Sequence, residues 1–147
     1  MSDQQHAVTI RPIQPGDYQQ WLQLWLAYQD FYQVTLDEQV SVVAFERFCD
    51  PQEPVFSAVA VQGEELIGFV NSVLHRSTWA VTDFCYLEDL YVAPAVRGSG
   101  AGKLLIEWVQ AFALEMFSRK ASAVATNVPG PQMPLYFGGS KITDLMF

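Results

Sequence analysis

The chain has 147 residues, half of them hydrophobic, with a formal net charge of −8. That size and apolar content fit one globular domain over residues 1–147 with a substantial core, and exclude a disordered chain. The acidic balance speaks against a general nucleic-acid partner, which wants a basic face, and suits a cationic small molecule better. Val8 to Arg11 reads as a first strand, ended by Pro12. Pro15-Gly16-Asp17 is a turn, and Asp17 with Gln20 three residues on forms a capping-box pattern for a helix reaching about Tyr32. Trp21, Trp25, Tyr28 and Tyr32 lie along one stripe of that helix, widened by Leu22, Leu26 and Phe31. Leu36 to Phe48 is a second helix, stopped by Asp50-Pro51. Val55 to Val61 and Leu66 to Leu74 flank Gln62-Gly63-Glu64 as a hairpin, and His75 to Thr82 is a polar connection.

The stretch from Leu87 to Lys103 organises the rest. Phe84 to Val92 is largely apolar on both faces, as a central strand should be, and Pro94 ends it. Gly98, Gly100 and Gly102 then alternate ahead of a helix whose stripe is Leu104, Leu105, Trp108, Val109, Phe112, Ala113 and Met116. Glycines let a backbone approach a ligand closely, and the free N–H groups at a helix start favour an anion. Arg97 and Lys103 add positive charge there. A dinucleotide fingerprint fails because Lys103 stands at its last glycine. A P-loop fails because Arg97 and Leu104 stand where it needs glycine and Ser or Thr.

Arg97-Gly98-Ser99-Gly100-Ala101-Gly102 does fit Arg/Gln-x-x-Gly-x-Gly/Ala. In this loop the chain resembles the GCN5-related N-acetyltransferases (GNAT). Tyr86-Leu87-Glu88-Asp89-Leu90-Tyr91-Val92 before it looks closest to the spermidine/spermine, or diamine, branch. The element order matches as far as residue ~126. The resemblance implies an α/β fold with a mixed, mostly antiparallel sheet flanked by helices. It implies acetyl-CoA as co-substrate. It also implies that the backbones of Leu90, Tyr91 and Val92 pair with the pantetheine arm and that the N–H groups from Arg97 through Gly98, Ser99, Gly100 and Ala101 to Gly102 grip the pyrophosphate, with Lys103 beside them.

Acetyl transfer to an amine needs the thioester held, the amine neutral, the oxyanion stabilised and the thiolate protonated. Glu88 and Asp89 are adjacent carboxylates in an apolar strand, costly to bury unless something cationic meets them. In the polyamine branch the glutamate matching Glu88 receives the amine, and the aspartate matching Asp89 helps hold it. Strict alternation would set Tyr86, Glu88, Leu90 and Val92 on one face, and Cys85, Leu87, Asp89 and Tyr91 on the other. Tyr28 and Tyr32 fall where the family borders its acceptor pocket, and aromatic rings also hold cationic amines. Trp79 in the polar connection is a lid residue or a packed anchor.

After residue ~126 the chain departs from the family. Ala121 to Thr126 still reads as a strand, and Asn127 opens the stretch where the family contacts its cofactor. Three prolines and a glycine between Pro129 and Pro134 then break the expected helix, and Leu135-Tyr136 comes two residues late. Either a rearranged loop delivers Tyr136 as the general acid, or the last ~20 residues are foreign to the fold. Lys141 to Phe147 reads as a short closing strand.

The expectation is an N-acetyltransferase acting on a small primary amine, polyamine-like or an amino-acid derivative. The alternative is a coenzyme A-binding module whose chemistry is impaired. A homodimer through an exposed sheet edge fits either. Cys49, Cys85, His6 and His75 form neither a disulfide framework nor a metal-ligand spacing, so no metal is expected. No run reaches the ~20 apolar residues of a membrane span, and residues 1–7 lack an export signal's apolar core. A cytoplasmic protein without a membrane partner is expected.

Overall fold

The computed structural model describes residues 6–117, 124–126, 135–137 and 140–142. The central sheet runs β1 (Val8–Pro12), β2 (Val55–Gln62), β3 (Glu65–His75), β4 (Phe84–Val92), β5 (Val124–Thr126) in spatial as in chain order. The first four strands are antiparallel, and β5 joins β4 in parallel. Helices α1 (Tyr18–Phe31) and α2 (Glu38–Cys49) follow β1, and α3 (Ala101–Phe117) follows β4. Strands β6 (Leu135–Phe137) and β7 (Ser140–Ile142) pair as a separate two-stranded sheet.

The sheet has a core on each face. Ala58, Ala60, Ile67, Val70, Cys85 and Leu87 meet α3, which buries Ala101, Leu105, Val109, Ala113 and Phe117 at a uniform spacing of four. The small side chains of Ala58 and Ala60 leave room for the helix to sit close. The stripe is thus narrower than the apolar spacing implied. Leu104 and Met116 are exposed, and half-buried Trp108 and Phe112 stack on each other while Phe112 tilts against Phe56.

On the opposite face α1 and α2 enclose Trp21, Trp25, Phe45, Val59, Phe69 and Tyr91. The α1 stripe is Trp21, Leu24, Trp25 and Gln29, whereas Leu26 and Phe31 point outward at 48% and 65% exposure. Gln29 lies 40° from Trp25 on a 3.6-residue helix and follows it into the core. Tyr32 lies only 20° from Trp25 but stands past the last turn, at the C-cap of α1, where it is exposed.

The expected capping box is absent. Asp17 gives both carboxylate oxygens to Arg11, at 2.7 and 2.9 Å, and one of them also accepts the Gln14 N–H at 2.8 Å. Gln20 instead reaches β3, accepting the Leu66 N–H and donating to the Glu64 carbonyl. Helix α2 begins two residues later than expected because Asp37 caps it, accepting the Gln39 N–H at 2.9 Å.

Two features of β3–β4 shape the site. Gly68 lies where an added Cβ would stand 2.7 Å from the Tyr91 carbonyl oxygen, so only glycine lets the strands approach there. Further along, Asn71 pairs with Asp89 but Ser72 pairs with Leu87, so Glu88 is an extra, unpaired residue. This β-bulge corrects the strict alternation expected from sequence. Cys85 and Leu87 face α3, and after the bulge Leu90 and Val92 face it too, while Tyr91 packs toward α1.

Candidate active site

Strand β5 pairs with β4 only at Cys85, Tyr86 and Leu87. From Glu88 onward, the outer edge of β4 has no strand beside it among the described residues. The Ala93 N–H turns inward, donating to the Ile67 carbonyl at 2.8 Å. Alternation along the strand therefore sends the backbone groups of Tyr91 toward β3 and those of Leu90 and Val92 to the open edge. The Val92 carbonyl there accepts Arg97 Nε at 3.0 Å. Of the three residues expected to pair with an extended ligand, Leu90 and Val92 offer edge groups and Tyr91 does not.

The glycine loop follows. Gly98 and Gly100 adopt φ of +89° and +86°, in the left-handed region that glycine alone enters freely. The Arg97 and Ser99 N–H groups are used within the loop, on the Pro94 and Val96 carbonyls. Among the described residues the N–H groups of Gly98, Gly100, Gly102 and Lys103 meet no acceptor. The anion cradle is thus narrower than the whole loop, built from alternate residues and the first turn of α3. Ser99 Oγ accepts the Ala101 N–H at 3.4 Å. The Arg97 guanidinium also lies 5.5 Å over the Tyr91 ring, and Lys103 sits 3.7 Å from Glu107. This donor set, cationic and rich in unpaired N–H groups, fits a pyrophosphate.

A groove of about 580 Å³ runs along the open edge of β4 and the loop. A second, of about 600 Å³, lies between α1 and β4. Tyr28, Tyr32 and Leu90 line both, so the two meet there. Glu88 and Asp89 open on the second groove with Tyr86, Gln29 and Leu36.

The two carboxylates differ. Asp89 accepts the Tyr28 hydroxyl at 2.8 Å on one oxygen and Asn71 Nδ2 at 3.0 Å on the other. Glu88, put on the bulge, has neither a salt bridge nor a hydrogen bond among the described residues. Lost hydration pushes its carboxyl above the ordinary carboxylate value, and the charge of Asp89 adds to this. Burial also raises the Tyr28 hydroxyl, and its bond to Asp89 adds to the shift, so Tyr28 stays a donor. Cys85 is fully buried, which pushes its thiol up to about 11, so it is no nucleophile.

The predicted acceptor residues Tyr28, Tyr32, Glu88 and Asp89 thus come together, as do Leu90 to Val92 with Arg97 to Lys103. Asn127 lies outside the described residues. Tyr136 falls in β6, a strand rather than a helix, and only its backbone is described. Sequence reasoning missed Asn71, Gln29, Trp25 as groove wall, and Phe31. Asn71 carried a signal, as a polar residue inside the apolar run Ile67 to Leu74. Trp79 is 93% exposed and is not a packed anchor.

An open strand edge leads into a glycine cradle and meets an acidic groove, the arrangement of a two-substrate transferase. The model of the acetyltransferase (GNAT) family matches residues 19–136. The chain is 34% identical over 111 residues to D-amino-acid N-acetyltransferase HPA3 of Saccharomyces cerevisiae, covering 74% of this chain and 69% of that one. It is 32% identical over 120 residues to aminoglycoside N(6')-acetyltransferase type 1 of Stenotrophomonas maltophilia, covering 80% and 74%. The solved structure of AAC(6')-Iy with the bisubstrate analogue CoA-S-monomethyl-acetylneamine shares the fold, with a TM-score of 0.67 at 18% identity over 83% of this chain and 80% of that one. The protein belongs to the GNAT family and is an N-acetyltransferase.

Proposed function

We propose that the chain moves an acetyl group from acetyl-CoA to a primary amine of a small molecule, polyamine-like or an amino-acid derivative. The observation that carries this reading is the junction of the two grooves at Tyr28, Tyr32 and Leu90. A donor seated on one side and an amine on the other would meet there.

Bound acetyl-CoA would supply the activated acetyl thioester. Leu90 and Val92 would hold its extended arm by edge hydrogen bonds. The N–H groups of Gly98, Gly100, Gly102 and Lys103 would hold its pyrophosphate, with Arg97 above the strand end. Asp89, fixed by Tyr28 and Asn71, would attract the ammonium form of the acceptor. Glu88, raised in pKa and without a hydrogen bond or salt bridge among the described residues, would take a proton from it. The ammonium loses two protons: Glu88 takes the first before attack, and the second, shed as the N–C bond forms and the C–S bond breaks, ends on the departing thiolate, which leaves as the thiol.

The acceptor class follows from charge. Glu88 and Asp89 are the charged residues of the acceptor groove among those described, which supports a cationic amine. A spermidine-like acceptor stays within this proposal beside amino-acid and aminosugar amines, the classes named for the two relatives. Calorimetry with acetyl-CoA on the wild type and Arg97→Ala tests the donor side. Thiol release with a panel of spermidine, amino-acid amides and an aminoglycoside tests the acceptor side. Binding weakened tenfold or more by Arg97→Ala, with release on at least one amine, is expected. Absence of binding by the wild type overturns the reading.

A further inference from the structure

We propose that the acceptor groove also reads an uncharged oxygen on the amine it receives, a hydroxyl or an amide carbonyl, through the side-chain amide of Gln29. This deepens the amine-acetylation reading and rests on it.

Gln29 is 6% exposed, on the buried face of α1 one turn beyond Trp25. Its Oε1 accepts the Leu36 N–H at 2.9 Å. That bond fixes the orientation of the amide, because an N–H can be met only by the oxygen end. The same segment is pinned twice more. The Val34 N–H donates to the Gln29 carbonyl at 3.0 Å, and Gln33 takes a φ of +56°. The amide therefore cannot flip without breaking the turn that joins α1 to α2.

Its Nε2 is buried and meets no acceptor among the described residues. A buried amide N–H is costly to leave unmade. Gln29 lines the groove that carries Glu88 and Asp89, and because Nε2 itself has almost no accessible surface, a ligand oxygen would complete it on a small side-chain movement at that wall. Of the other side-chain donors on this groove, three are engaged or lie toward solvent, and Tyr86 is half-buried. Trp25 Nε1 donates to Ser41 Oγ at 3.0 Å, the Tyr28 hydroxyl to Asp89, and Tyr32 is exposed.

Charge decides which oxygen fits. Among the described residues, no lysine or arginine lines this groove, and two carboxylates do. A ligand carboxylate would sit near Glu88 and Asp89 without a cation to offset it, whereas a neutral oxygen meets no such repulsion. The groove thus favours an amino amide or amino alcohol over a free amino acid, and over a plain alkylamine that leaves Nε2 unpaired.

Leucinamide, leucine (both hands of each) and 3-methylbutylamine share one alkyl chain and test this. Acetyl-CoA-dependent thiol release is measured with each at about pH 9 and compared per neutral amine. For the wild type, kcat/KM for leucinamide should exceed that for the other two by about tenfold. Gln29→Met should lower kcat/KM for leucinamide about tenfold more than for 3-methylbutylamine. Because that variant also strips the Leu36 N–H of its acceptor, Gln29→Glu is run beside it. The glutamate keeps an oxygen for Leu36 and loses the amide donor, and it should show the same selective loss. Leucine as good a substrate as leucinamide overturns the proposal, as does an equal loss on all acceptors in both variants. Equal release with all three amines overturns the oxygen site alone. Release with none overturns the amine-acetylation reading and this inference with it.

Discussion

The Tyr28 hydroxyl donates to Asp89 Oδ1 at 2.8 Å, tying α1 to β4 across 61 residues of chain. Asn71 holds the second oxygen from β3, so three elements converge on one carboxylate. Tyr28→Phe keeps the ring, which packs edge-on against Phe69 and Tyr91, and removes only the hydrogen bond. The freed carboxylate would swing out of register with the amine. The expected result is about a tenfold fall in kcat/KM for the amine, mainly through KM, with acetyl-CoA affinity changed by less than about threefold. Steady-state kinetics and calorimetry on the same preparation check both parts.

Glu88 sits on the bulge with its carboxyl raised by lost hydration and by Asp89. If it accepts the amine proton, the acidic limb of the kcat/KM profile lies above the ordinary carboxylate range. Glu88→Gln should remove that limb and lower kcat by about a hundredfold or more. Stability should move the other way. A carboxyl raised on folding costs stability once ionised. The cost is absent below the unfolded value, grows between the unfolded and folded values, and is complete above the folded one. Glu88 is exposed, so solvent screens the effect, and the glutamine variant should melt only slightly higher near neutral pH, by about 1 °C or less, and no differently near pH 3. Paired thermal scans at the two pH values read this directly. A variant that keeps the limb and wild-type turnover removes Glu88 from the chemistry.

The contrast between those two acids marks how far the sequence could be read. Apolar periodicity and turn residues were enough to place β1 through α3, and the spacing of Arg97 to Gly102 located the anion loop. What periodicity could not carry was register. One unpaired residue at Glu88 moves Leu87 from the face of Asp89 to the face of Leu90, and no local pattern announces a bulge. Gln29 was hidden for a related reason. Its polar side chain looks like helix surface until the turn after Phe31 gives it a backbone partner in Leu36. Asp17 shows the converse. A good cap residue was drawn away by Arg11, a stronger partner from the preceding strand.

Gly98 and Gly100 hold left-handed backbone, and an added Cβ at Gly100 would meet no atom within 4 Å among the described residues beyond its chain neighbours. Gly100→Ala therefore tests conformation and ligand approach without a clash inside the protein. Left-handed strain of about 1–2 kcal/mol should lower Tm by about 3–6 °C. The shifted loop and new methyl group should weaken acetyl-CoA binding by tenfold or more. Gly16, equally open but without positive φ, supplies the control. Gly16→Ala should leave affinity at the wild-type value. Equal affinity in the two alanine variants would mean that the loop N–H groups do not hold the donor.

Asp17 anchors the start of α1 to β1 through two oxygens on Arg11, and its side chain is 9% exposed against 33% for Arg11. The hydrogen bonds from Arg11 hold the Asp17 carboxyl below the ordinary carboxylate value, against the opposing effect of burial. An acid lowered on folding contributes stability above its unfolded pKa and loses it as the pH falls through the folded one. Asp17→Asn keeps the shape but gives up the charge and one good acceptor. It should cost about 1–2 kcal/mol at neutral pH, toward the lower end because a third of Arg11 remains in water. The difference from wild type should shrink as the pH drops below the carboxylate range, where Asp17 itself becomes protonated. Urea titrations at neutral and acidic pH measure both limits. A difference that persists unchanged at low pH would assign the loss to packing around the turn rather than to the ion pair. Because α1 carries Tyr28, Gln29 and Tyr32 into the groove, the same variant should raise KM for the amine while leaving the Gly98–Gly102 cradle and its affinity for acetyl-CoA unaltered.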